Sequence, residues 1–146
     1  MSSLGALFSV GSRIANNGIA VFLMLLKAVG FSASQRSRHF QAHGNDFDAV
    51  SAHAYEAMAV SFMNQLQSPQ IRDCCRPQGD RIRYDSDTRA FGVIDSAGIV
   101  RTYYRPVPCA SLPPESRNAM RLAGRCHCHA SNEEYFEAEC KRKWPR

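Results

Sequence analysis

The sequence predicts an α+β fold in which N-terminal helices pack on a small twisted antiparallel β-sheet and a further helix closes the chain at the C-terminus. Three observations predict it. Apolar residues recur at helical spacing before Leu66, the pattern switches to strand-like alternation after Arg81, and Ser131, Asn132, Glu133 and Glu134 spell a capping box near the end. In chain order, Ser51 is a good N-cap for a helix running to about Leu66, whose packed face is Tyr55, Met58, Ala59, Phe62 and Leu66. Pro69 and the string RPQGD at 76–80 then mark a loop. Residues 81–84 alternate polar and apolar, 90–95 form a short apolar run, and 99–105 are rich in strand formers. The turns at 85–89 and 96–98 are short, which makes these three strands an antiparallel meander. Residues 107–125 hold Pro108, Pro113 and Pro114 without a clear period and read as a long loop. The capping box opens a final helix through Tyr135, Phe136 and Cys140.

The first 35 residues read differently. The run GIAVFLMLLKAVGF at 18–31 follows Arg13 and precedes the small residues Ser32, Ala33 and Ser34, the outline of a signal peptide interrupted by Lys27. Its nine uninterrupted apolar residues at 18–26 are too few to cross a hydrocarbon core of about 30 Å, so no stable membrane span is expected. The chain therefore divides into 1–35, a signal-like or delivery-related apolar segment, and 36–146, a folded functional domain. A buried or amphipathic N-terminal helix is the alternative for the first part.

Composition narrows the class. A chain of 146 residues with 45% apolar and 21% charged residues excludes a multidomain enzyme and a wholly disordered protein. The net charge of +5 comes mainly from the stretch 69–125, where ten arginines face six acids, so an anionic partner is expected there. Six cysteines stand at 74, 75, 109, 126, 128 and 140. In an exported chain they favour disulfides. Adjacent Cys74 and Cys75 do not readily pair with each other, and the connectivity stays open. Cys126, His127, Cys128 and His129 invite a zinc reading, against which the C-x-C spacing departs from the usual pairs.

Two groups of residues could carry chemistry. His39 and His43 are four apart, which on a helix brings both imidazoles to one face. A metal pair, acid–base catalysis and two surface histidines are all compatible with that spacing, although Phe40 stands where the H-E-x-x-H zinc motif needs its glutamate. On the strand at 99–105, Thr102 and Tyr104 share one face, and Arg101, Tyr103 and Arg105 share the other. Thr102 and Tyr104 suit a phosphate, so they are expected to face a cleft. Arg101 reaches that face only through a bulge or round an edge, which leaves Arg83 or Arg81 as the better source of positive charge. Such a set supplies the parts of a metal-free ribonuclease that needs no cofactor: a base for the ribose 2′-hydroxyl, donors for the phosphate and an acid for the leaving 5′-oxygen. No phosphate-cradling glycine loop, nucleophile elbow or acidic metal cluster competes.

The strings HFQAHGNDF, SAHAYEAMAVSF, GDRIRYDSDTRAFGVIDSAGIVRTYYRP and SNEEYFEAEC, in this order over about residues 38–140, resemble the C-terminal nuclease domains of bacterial polymorphic and contact-dependent inhibition toxins, a group with barnase/EndoU/colicin/RelE-like folds. The resemblance implies RNA cleavage, often of tRNA, after secretion or delivery from a bacterium into a target-cell cytoplasm, with a cognate immunity protein protecting the producer. Carried over by position, the histidine falls on His43 or His39, and the arginine, threonine and tyrosine fall on Arg101, Thr102 and Tyr104. Arg83, Arg81 and Arg105 are further candidate substrate contacts. The enlarged cysteine-rich stretch 107–130 departs from the pattern. A non-catalytic nucleic-acid or protein-binding module, and a zinc-dependent nuclease using the histidines with Cys126 or Cys128, are the rival readings.

Overall fold

The computed structural model describes residues 26–143. Helix α1 (Ala33–His43) leads through a 3-10 turn (Gly44–Phe47) to α2 (Ala52–Asn64). Four strands follow, β1 (Ile71–Cys75), β2 (Arg81–Asp85), β3 (Phe91–Ile94) and β4 (Val100–Tyr104). A short strand β5 (Val107–Pro108), a 3-10 turn (Cys109–Ser111), α3 (Pro114–Leu122), strand β6 (Cys126–His127) and α4 (Asn132–Lys141) complete the order. β1 to β4 form one antiparallel sheet in sequence order, and β5 and β6 form a small parallel pair. The fold is α+β.

The signals read from sequence have local causes in the structure. Ser51 Oγ accepts the Ala54 N–H at 3.0 Å and Ser131 Oγ accepts the Glu134 N–H at 3.1 Å, so both helices start where an N-cap hydroxyl stands. α2 buries Tyr55, Ala59, Phe62 and Met63; of the residues expected on that face, Leu66 is exposed because the helix ends at Asn64, and Met58, in mid-helix, lies outside the buried stripe. Asp85 Oδ1 and Asp95 Oδ1 each accept two backbone N–H groups and so close the two hairpin turns.

The sheet lies between two layers. On its inner face, Ile94, Val100 and Tyr103 pack with Phe31, Tyr55, Ala59, Phe62 and Met63 of the helical layer. A Cβ at Gly92 would strike Met63 Sδ and the Phe62 ring, so a glycine there lets α2 lie close on β3. On the outer face, Ile82, Tyr84, Phe91 and Val93 receive Phe136 of α4. The disulfide Cys74–Cys140 ties α4 to β1, and Cys109–Cys126 closes the loop that carries α3.

Three expectations change. The meander has a fourth strand, β1, whose sequence IRDCC carries little apolar alternation. Residues 107–125 are not a structureless loop, because Pro114 opens α3 at a position that tolerates a missing N–H. The boundary at 35 cuts through α1, and Ala28 and Phe31 belong to the core. Residues 28–31 form a strap along β4: Val29 N–H donates to Gly98 O at 2.9 Å and Val100 N–H to Gly30 O at 2.8 Å. Asn64 brackets Ala28 with two hydrogen bonds, and Glu56 Oε2 accepts the Phe31 N–H at 2.9 Å. A cut among residues 32–34 would therefore remove part of the core. Most of the apolar run at 18–31 lies outside the described residues, and among those described no helix is long and apolar enough to cross a membrane.

Candidate active site

α4 covers only part of the outer face of the sheet. The remainder floors a groove of about 520 Å³, a size that suits a nucleotide-sized ligand. His43, Arg101, Thr102 and Tyr104 all line it. The strand residues reach it together because of a bulge. Val93 pairs with Thr102 but Ile94 pairs with Val100, leaving Arg101 as the extra residue of β4. Val100 and Tyr103 thus both face the inner core, while Arg101, Thr102 and Tyr104 turn outward. Tyr103 lies opposite, as alternation predicts.

His43 is the last residue of α1 and enters from the side. Its ring centroid is 5.1 Å from that of Tyr104, and its Nδ1 is 3.8 Å from Asp46 Oδ2. Burial lowers its pKa, Asp46 pulls it back up, and His39 and Arg125 lower it again. The net direction is down, so the imidazole is neutral at neutral pH. The Tyr104 phenol lies 2.5 Å from that of Tyr135, and burial together with this neighbour raises its pKa, keeping the hydroxyl protonated. Tyr135 is itself fixed by a parallel stack on His127, with centroids 4.4 Å apart. His127 Nδ1 accepts the His129 N–H at 3.3 Å, which leaves its Nε2–H to donate to Asn132 Oδ1 at 2.8 Å.

The other predicted residues fall elsewhere. His39 lines an adjoining groove, stacks on Phe31 with centroids 5.1 Å apart, and stands 6.3 Å from His43. Arg83 and Arg81, expected at the phosphate, point to the inner face instead. Arg83 makes a two-pronged contact with Asp73 at 2.8 and 2.9 Å and donates to Phe62 O at 3.0 Å. Arg81 lies 3.5 Å from the same carboxylate and donates to Met63 O. Both guanidiniums cover the open carbonyl end of α2, a favourable place for positive charge, and neither lines the groove. Arg105 is also displaced: it holds the Asp46 backbone carbonyl and lies over Phe47, 4.9 Å from the ring centre, on the Tyr103 side.

Sequence reasoning missed Asp46 and the α4 wall. Tyr135, Glu139 and Arg142 all line the groove, and their i, i+4, i+7 spacing was a readable signal for one helix face. Arg76 fixes that wall, donating from Nε to Glu139 O at 2.7 Å and pairing with the Glu139 carboxylate at 2.6 Å. Of the two thiols in the zinc reading, Cys126 is committed to a disulfide, whereas Cys128 is free and exposed. Among the described residues, no three His, Cys, Asp or Glu side chains converge as a metal set. No protein-family model and no curated protein matches the chain.

Proposed function

We propose that the chain is a metal-independent endoribonuclease whose active site is the outer-face groove. The observation that carries this reading is the convergence of His43, Arg101, Thr102 and Tyr104 from two separate elements. His43, neutral at working pH, takes the proton of a ribose 2′-hydroxyl, and the oxygen attacks the adjacent phosphorus. Arg101 and the Thr102 hydroxyl hold the non-bridging oxygens as their charge grows. The Tyr104 phenol hydrogen-bonds the leaving 5′-oxygen and gives up its proton as the P–O bond breaks, the alkoxide being the stronger base. The phenolate regains a proton from the imidazolium, so the cycle closes on a 2′,3′-cyclic phosphate and a free 5′-hydroxyl. Every step is assigned to imidazole, guanidinium and hydroxyl groups, with no role left for a metal or cofactor.

The resemblance to toxin nucleases supplies the setting. The substrate is RNA, tRNA among the candidates, met in a target-cell cytoplasm after release from a bacterium, and a cognate immunity protein covers the groove in the producer. The test is total RNA incubated with pure protein in excess chelator. Fragments ending in 2′,3′-cyclic phosphate, lost in His43→Ala, are expected. RNA bound but left intact would make the chain a binding module, and cleavage abolished by chelator and restored by zinc would make it a metal enzyme.

A further inference from the structure

The adjoining groove, about 720 Å³, runs along α1 and meets the first at a shared wall. His43 and Arg101 line both grooves, and the consecutive residues Ala123 and Gly124 line one each. The two differ in charge. The first includes Asp80, Asp95 and Glu139, whereas the second is lined by Arg38, Arg101, His39, Ser32, Ser34 and Gln35 among others, with no carboxylate. Ser32 precedes α1 without its hydroxyl oxygen accepting a helix N–H, so the side chain is not held as a cap. Arg38 and Arg101 are exposed, and neither has a carboxylate partner among the described residues. The His39 and His43 rings, 6.3 Å apart, mark the two grooves on successive turns of one helix.

We propose that this second groove is a phosphate subsite, held by Arg38 and His39, for the nucleotide next to the scissile bond. It rests on the ribonuclease reading and deepens it. The substrate is a single-stranded stretch of RNA threaded through both grooves and cut at the His43–Arg101 partition. Guanidinium, imidazole and hydroxyl donors facing a groove without acid suit a phosphodiester, and each phosphate neutralised adds to affinity in a salt-dependent way. His39 is then a binding residue, and His43 alone is the base.

The experiment measures anisotropy of labelled 2′-O-methyl oligonucleotides, which lack the attacking hydroxyl, at lengths of two and six nucleotides over a salt series. The wild type is expected to bind the longer one more tightly. Arg38→Gln removes most of that gain, roughly five- to tenfold, and flattens the plot of log affinity against log salt by about 0.7, the value for one single-strand phosphate. Arg72→Gln, on the far edge strand, controls for net charge and keeps the gain. His39→Gln raises KM for a six-nucleotide RNA more than it lowers kcat. Equal weakening of both lengths, an unchanged salt slope, or no binding by the wild type overturns the subsite. A separate cleavage assay with the matching RNA reads the enzyme itself: binding with the predicted length dependence but no cleavage sinks the ribonuclease reading and leaves the subsite standing.

Discussion

In the proposed reaction His43 acts as a base, so activity needs its imidazole neutral. Burial lowers its pKa below 6.5, and activity is expected to hold through neutral pH and to fall on an acid limb centred below 6.5. Asp46 opposes that shift, so Asp46→Asn moves the limb further down, a direction that a pH profile of kcat/KM would check. The same burial links His39 and His43 to stability. With folded pKa values below the unfolded one, stability is full above 6.5 and declines as pH falls below it toward the folded values, because the unfolded chain takes up protons first. Along β4, Thr102→Val and Tyr104→Phe are each expected to cost about 10²-fold in cleavage, the scale of losing one transition-state donor. Tyr103→Phe should cost little, since that ring stacks 4.0 Å from Phe47 in the inner core and is absent from the groove. Alternation made this division legible. It could not show which face of β2 is inner, and there the reading of Arg81 and Arg83 failed. An arginine alternating with apolar residues reads as solvent-facing, and what turns these two inward is Asp73, a partner on a strand the sequence hardly announces.

The bulge in β4 makes a sharper test of element geometry. Deleting Arg101 leaves Val100, Thr102, Tyr103 and Tyr104 in plain alternation with their present faces unchanged, so the strand loses its irregularity and its guanidinium together. The shortened protein is expected to fold with a melting temperature close to the wild type and to lose cleavage, as Arg101→Gln does; global unfolding on deletion would show that the bulge is required by the fold. Elements with strong local signals were readable: an N-cap serine for α2, a capping box for α4, Asx turns between strands. β1 and α3 were not. β1 depends on its ladder with β2 and on Cys74, while α3 has no buried residue and is held by Cys109–Cys126 and by Arg125 on the Ala42 carbonyl. Tertiary ties of that kind are not written in the segment's own sequence.

At the scale of the whole molecule, both disulfides serve the outer layer and neither lies in the helical core. The Cys74–Cys140 bridge spans 66 residues and the Cys109–Cys126 bridge 17, for which chain entropy gives about 4 and about 3 kcal/mol. Replacing Cys74 and Cys140 together by serine should lower the melting temperature more than the same change at Cys109 and Cys126, measured by circular dichroism. The strap has a different consequence. β4 is the last strand of its sheet, and an open edge is a template for another chain. Here the Val100 N–H is taken by Gly30, the Tyr103 carbonyl by the Tyr55 hydroxyl and the Arg105 N–H by Asp46. Proteolysis among residues 32–34 would free the first of these and uncover the Phe31 contact surface beside it. The trimmed protein is expected to associate edge to edge and then precipitate, while the intact chain elutes as a single species in light scattering; that outcome would make residues 28–31, the end of the run that resembles an export signal, a guard against self-association.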